Sequence, residues 1–259
     1  MRAGLVSLLF PPKCPCCGEL LEFRGLGVEV SPLCDTCQKR WNSELLDTCG
    51  NCGLAVQDCN CMTEALGRAK CAGFRKRVYY LHGSNSAVQN RILFKIKNQP
   101  SAYAMGFLAE ELEETLRSLL AEESVSVADA VLVYLPRSRR SAAVGGTDQG
   151  RQLAYALSRR VGIPVVCAIR RRRGQEKQQK RLTPLQRQKN AKAAYAVKKG
   201  LLLKGKTAIL VDDIVTTGST MATGVRLLRG IGAERVFALS IAVDDNQKNA
   251  NQHRPTFRV

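Results

Sequence analysis

Thr207-Ala208-Ile209-Leu210-Val211-Asp212-Asp213-Ile214-Val215-Thr216-Thr217-Gly218-Ser219-Thr220 is the stretch that decides the fold. The apolar run over 207–211 predicts a strand. It leads into two adjacent carboxylates, then into a turn of small residues and hydroxyls. A helix is expected over 219–231, with Met221, Val225, Leu228 and Ile231 facing inward. This order suits an anion. Backbone N–H groups at a helix N-terminus attract a phosphate, and the hydroxyls of Thr216, Thr217, Ser219 and Thr220 add donors. Gly218 lets the backbone approach a ligand with no side chain in the way. Asp212 and Asp213 can accept from ribose hydroxyls or help to hold hydrated magnesium.

Outward from this stretch, helix and strand alternate through the C-terminal two-thirds. An amphipathic pattern covers 103–122, with Phe107, Leu108, Leu112, Leu116, Leu119 and Leu120 at helical spacing. Strand patterns cover 128–135, 163–169 and 236–243. A further helix is expected over 148–161. Several strands are apolar throughout, as strands buried on both faces are. The fold class read from this is α/β, a doubly wound parallel sheet, with a small Cys-rich module ahead of it. Ligands of such sheets sit beyond the carboxyl ends of the strands, where Asp212 and Asp213 fall. Residues 200–207 match the P-loop pattern by letter, but Lys206-Thr207 opens a strand rather than a helix, so the match carries no meaning.

Ten of the eleven cysteines lie between Cys14 and Cys71. The pairs Cys14/Cys17 and Cys34/Cys37 are C-x-x-C knuckles separated by sixteen residues, a spacing that fits one tetrahedral zinc. Cys49, Cys52, Cys59 and Cys61 form a second candidate set, with a tighter C-x-C half. Disulfides or buried thiols are the competing readings. Cys16, Cys71 and Cys167 are expected not to be ligands, and Trp41 to be a packing residue. The expected organisation is a zinc-binding, ribbon-like module over 1–73, an α/β domain over 74–243 and a polar tail over 244–259.

The chain of 259 residues carries a formal net charge of +18, which favours polyanionic partners. Between Arg170 and Lys199 there are twelve basic residues and one acid, Glu176. Arg170, Arg171, Arg172, Arg173 and Arg187 are candidate contacts to a nucleic-acid backbone, single-stranded DNA above all. A solvated loop is the bland alternative. No run of about 18 apolar residues is present, so no membrane span is expected. Residues 1–10 meet Pro11-Pro12 without a cleavage site and read as a short helix, so the expected location is cytoplasmic.

The segment around Asp212-Asp213 resembles the 5-phosphoribosyl-1-diphosphate (PRPP) signature of type I phosphoribosyltransferases. The whole chain resembles the ComF family, linked to competence and DNA utilisation. That resemblance rests on Phe10-Pro11-Pro12-x-Cys14, the later cysteine pairs and the turn Ile96-Lys97-Asn98. Gln179-x-x-Leu182, Arg187-x-x-Asn190, Ala194-Tyr195 and the phosphate loop extend it. It implies PRPP or another phosphorylated ligand, with Lys97 a candidate contact to pyrophosphate and Arg187 and Asn190 to phosphate. It also implies structural zinc, magnesium with PRPP, a helicase-like competence partner and, as in many type I relatives, a homodimer. One segment departs from the family pattern. Where Arg-Gly-aromatic-Asn-Gln is usual, this chain reads Gly145-Gly146-Thr147-Asp148-Gln149, with Arg137, Arg139 and Arg140 nearby to compensate.

Three functions fit these residues: DNA handling with a PRPP-binding domain, an active phosphoribosyltransferase, and a PRPP or nucleotide sensor without turnover. No catalytic group is evident. Thr216 stands where some purine-salvage relatives carry an acid.

Overall fold

The computed structural model describes residues 13–21, 32–98, 101–137, 148–172 and 194–247. Within them the elements are α1 (Asp35–Leu45), α2 (Glu64–Arg68), β1 (Gly73–Tyr80), α3 (Val88–Asn98), α4 (Ala102–Glu122) and β2 (Ala130–Tyr134). There follow α5 (Gln149–Val161), β3 (Ile169–Arg171), β4 (Tyr195–Val197), β5 (Thr207–Val215), α6 (Ser219–Gly230) and β6 (Arg235–Asp244).

β1, β6, β5 and β2 lie side by side in that order, every pairing parallel. Residue alternation explains the two-sided core. Leu132, Tyr134, Ile209 and Val211 face α4 and α5. Val131, Val133, Ala208 and Leu210 face α6. Helices therefore cover both faces, and the parallel, doubly wound reading holds. After β2 the chain passes through α5 to the outer side of β2, where Val165 bridges Leu132 in parallel. It then returns to β2's other side as β5. The direction of winding reverses there, leaving a crevice beyond the carboxyl ends of β2 and β5.

Helix termini follow local chemistry. Ser101 caps α4 by accepting from the Ala104 N–H at 3.2 Å, and Asp148 caps α5 through the Arg151 N–H at 3.2 Å. Gly162 closes α5 in a left-handed conformation, φ +75°.

Three sequence expectations shift. The run 163–169 is not a continuous strand: Pro164 lacks an N–H, only Val165 bridges β2, and β3 begins at Ile169. β5 runs through both carboxylates to Val215 instead of ending before them. Ile96-Lys97-Asn98 is the last turn of a helix, α3. The cysteine segment is also less separate than its composition suggests. Cys14, Cys37, Trp41 and Leu45 join the core on the α4/α5 face, whereas Val56, Met62 and Leu66 join the α6 face. Trp41 is fully buried, with its ring edge-on to Phe107 at 5.0 Å.

β1 buries three consecutive cations. Arg75 pairs with Glu122 at 2.6 Å, and Arg77 with Glu111 at 2.8 Å and Glu114 at 3.0 Å, all on α4. Lys76 projects to the opposite face, 1% exposed, and donates to the Cys59 and Cys61 carbonyls at 2.9 and 2.8 Å.

Candidate functional site: an anion crevice and two cysteine clusters

The crevice is built where β2 and β5 end. Asp212 is partly buried and Asp213 buried. Each carboxylate accepts from the following backbone N–H: Asp212 Oδ1 from Asp213 N at 2.9 Å, and Asp213 Oδ1 from Ile214 N at 3.0 Å. Arg137, just past β2, binds Asp213 Oδ2 through Nη2 at 3.0 Å, and its backbone N–H donates to Asp148 Oδ2 at 3.1 Å. Of the three arginines named to compensate the departed family segment, Arg137 is therefore at the site. Arg139 and Arg140 lie outside the described residues, as do Gly145, Gly146 and Thr147. Asp148, which replaces the usual asparagine, caps α5 and holds Arg137.

Burial pushes the Asp212 carboxyl well above the ordinary carboxylate range, and the neighbouring Asp213 charge adds to this, while Arg137 opposes it. The N-terminus of α5 is close. A Cβ placed on Gly150 would lie in ordinary contact with Asp212 Oδ1 at 3.5 Å and the Val211 carbonyl at 3.7 Å, which measures how near this terminus comes to β5. Gln149 Nε2 donates to the Ile96 carbonyl at 3.1 Å and to the Lys97 carbonyl at 3.4 Å, tying the end of α3 to this terminus. Lys97 itself is exposed.

The turn after β5 leaves Thr216, Thr217 and Thr220 exposed and Ser219 partly so. Gly218 is the N-cap of α6 at φ +73° and brings no capping side chain, while Thr217 Oγ1 accepts from the Ser219 N–H at 3.4 Å. Thr217 Oγ1 donates to Ser219 Oγ at 3.0 Å. The loop is thus a row of hydroxyls over a helix N-terminus whose N-cap is a glycine, the arrangement that receives an anion.

A further pair belongs to this neighbourhood. Arg171 Nη1 donates to the Tyr195 hydroxyl at 3.3 Å, with its guanidinium 5.5 Å from the ring centre. Burial raises the Tyr195 pKa, Arg171 opposes this, and the Asp212 and Asp148 charges reinforce it. Sequence reasoning counted Arg171 as one cation of a basic run. The structure sets it apart: Arg170 and Arg172 are exposed on either side, whereas Arg171 is half-buried on Tyr195. Arg173, Arg187 and Asn190 lie outside the described residues.

The eight predicted cysteine ligands form two groups, Cys14/Cys17/Cys34/Cys37 and Cys49/Cys52/Cys59/Cys61. Within each, the four sulfurs lie within 4.8 Å of one another. Cys17 and Cys34 are 3.6 Å apart at sulfur, and Cys52 and Cys59 are 3.5 Å apart. These are not disulfides. A tetrahedron with metal–sulfur bonds of about 2.3 Å has sulfurs about 3.8 Å apart, so both donor sets fit a zinc-like ion. The two knuckles Cys14–Gly18 and Cys49–Gly53 share one geometry. In each the glycine N–H donates to the first cysteine carbonyl, at 2.9 and 2.8 Å, and the glycine has positive φ, +82° and +74°. Each is closed by an antiparallel bridge, Lys13 to Leu20 and Thr48 to Ala55.

Burial raises the Cys49 thiol, but the Asn51 amide, the Tyr79 hydroxyl, Cys59 and the Cys52 amide outweigh that and hold its pKa at about 6. At Cys59 burial wins and the pKa is raised, although Lys76, with Nζ 3.2 Å from Cys59 Sγ, pulls it down. Lys76 was not foreseen as part of this site. Cys71 is buried and Cys167 partly buried, as expected of lone thiols. His82, exposed, pairs with Asp244 at 2.7 Å, and that bond raises its pKa.

Residues 142–258 match the phosphoribosyl transferase domain family. The chain is 29% identical over 227 residues to Competence protein F of Haemophilus influenzae, covering 84% of this chain and 93% of that one. Over a shorter stretch of 36 residues it is 58% identical to ribose-phosphate pyrophosphokinase of Nostoc sp., spanning 14% of this chain and 11% of that protein. Among solved structures, purine phosphoribosyltransferase from Pyrococcus horikoshii is 18% identical at a TM-score of 0.33, over 55% of this chain and 74% of that one. The class defined by sheet, loop and family match is the phosphoribosyl transferase domain. More particularly, the chain is similar to Competence protein F along most of both lengths, and its N-terminal cysteine clusters precede the part that matches the phosphoribosyl transferase domain. No helix among the described residues is long and apolar enough to cross a membrane.

Proposed function

We propose that the domain binds PRPP as its magnesium complex in the crevice between β2 and β5. The protein then acts in competence-related DNA uptake or utilisation by contacting single-stranded DNA. The observation that carries the first part is the Asp212-Asp213 pair at the end of β5, set beneath a glycine-capped, hydroxyl-lined N-terminus of α6 at the switch point. The 5′-phosphate takes the N–H and hydroxyl groups of 216–220. Asp212 and Asp213 hold the ribose hydroxyls or the hydrated magnesium, whose positive charge neutralises the diphosphate. Arg137, already bound to Asp213, and Lys97 serve the diphosphate. Zinc is the ion suited to the two Cys₄ sets, in a structural role.

The DNA reading draws on the name of the Haemophilus relative and on Arg170, Arg172, Lys198 and Lys199, which are exposed next to the β3–β4 pair. Such contacts would track phosphates with little sequence preference. The location is cytoplasmic on this reading, where a helicase-like competence partner and a second copy of the chain are the expected protein contacts. An active phosphoribosyltransferase is the second reading, favoured by the completeness of the loop from strand to helix. Pyrophosphate released from PRPP in the presence of a base separates it from binding alone.

The test is calorimetric titration of the zinc-loaded protein with PRPP, with and without magnesium, alongside the double variant Asp212→Asn/Asp213→Asn. Magnesium-dependent binding that the variant lacks is expected. A folded wild type that binds no PRPP overturns both the enzyme reading and the binding reading.

A further inference from the structure

Gly218 is where the cysteine segment touches the phosphate loop. A Cβ built on it would lie 2.1 Å from Thr63 Oγ1, 3.1 Å from Thr63 Cβ and 3.4 Å from Thr63 Cγ2. Thr63 is 2% exposed, and its Oγ1 also accepts from the Leu66 N–H at 3.4 Å, capping α2. Only one residue separates it from Cys61 of the second cluster. Lys76 fixes that end by binding the Cys59 and Cys61 carbonyls. On the other side, Leu66 and Ala69 share an apolar core with Met221, Ala222, Val225 and Leu228 of α6, the helix that the loop opens. The first cluster packs into the core of the opposite sheet face.

We infer that Thr63 is a positioning residue for the phosphate loop, and that the ion at Cys49/Cys52/Cys59/Cys61 sets its place. This rests on the loop being the phosphoribosyl site proposed above. Cys61 and Lys76 hold the chain entering α2, Thr63 fills the space that a side chain at 218 would need, and the loop backbone is pinned between Thr63 and the body of α6. Occupancy of the second metal site and order in the loop are then coupled, and linkage makes that coupling reciprocal. A change in the loop must loosen the ion, and loss of the ion must loosen the loop.

The full zinc-loaded chain tests this with two readouts that need no activity. In hydrogen exchange, Thr63→Ala speeds the amides of 214–220 by about tenfold or more, and Thr63→Ser restores protection. With a chromogenic chelator, Gly218→Ala speeds release of one of the two zinc equivalents and leaves the other at the wild-type rate. Unchanged exchange in Thr63→Ala overturns the inference, as does unchanged zinc release in a Gly218→Ala protein with wild-type circular dichroism. Should Gly218→Ala fail to fold, the Thr63→Ala arm decides alone. Coupling that persists in a protein unable to bind PRPP removes the phosphoribosyl reading and leaves the pinning of the loop by Thr63 intact.

Discussion

Replacing Lys76 by Met keeps an unbranched, buried chain and removes only the ammonium. That ammonium sits 3.2 Å from Cys59 Sγ and within 2.9 Å of two carbonyls, at 1% exposure. With the metal bound the sulfurs are thiolates, and the Lys76–Cys59 attraction, 332/(20 × 3.2), is about 5 kcal/mol at an effective dielectric of 20. Metal-free, the Cys59 thiol, whose pKa burial raises, is protonated and this attraction vanishes. Two carbonyls then lose a partner at about 1–3 kcal/mol each, while the variant escapes the several kcal/mol needed to bury an ammonium. Lys76→Met should thus destabilise the loaded protein by about 3–5 kcal/mol and leave the stripped protein nearly unchanged. The same difference lowers zinc affinity at the second site by about two to three and a half orders of magnitude, at about 1.4 kcal/mol per decade. Denaturant melts with zinc and with chelator, plus a competition titration, measure both. An equal cost in the two states would refute the idea that Lys76 balances a thiolate-bound ion.

Three further outcomes are expected. Asp212 has a folded pKa above its unfolded value, so its contribution to stability falls as pH rises from the ordinary carboxylate range through the raised value. Asp212→Asn should accordingly stabilise the ligand-free protein increasingly over that rise, by about 1.4 kcal/mol per pKa unit of displacement, while abolishing PRPP binding; melts against pH show it. Trp41→Ala should cost about 3–5 kcal/mol, seen in thermal or denaturant melts, because it empties a fully buried site between α1 and Phe107. Arg170→Ala/Arg172→Ala should weaken single-stranded DNA binding and flatten the plot of log affinity against log salt by about 1.4, at about 0.7 per lost phosphate contact.

The loop that ends β5 and opens α6 was legible because its signal is local: an apolar run, two acids, hydroxyls, a glycine, then helical spacing. The two four-cysteine groups were legible for the same reason. β1 was not, because three consecutive cations break any apolar or alternating strand pattern, and only the acids of α4 and the carbonyls of the second cluster make their burial tolerable. The turn read at 96–98 became a helix end because Ile92, Leu93 and Ile96 have a core to enter. Arg137 joins the crevice from a segment remote in sequence from Asp213, a matter of topology that no spacing reveals. The Thr63–Gly218 contact is likewise invisible in the sequence, although a glycine opening a helix after two threonines marked the position at which something must come close.

The most direct measurement is a crystal structure of the zinc-loaded protein with magnesium and PRPP. The expected result places the 5′-phosphate on the N–H groups of 216–220, the ribose against Asp212 and Asp213, and the diphosphate toward Arg137. PRPP absent from the crevice between β2 and β5, or bound elsewhere with Asp212 and Asp213 untouched, would contradict the phosphoribosyl site.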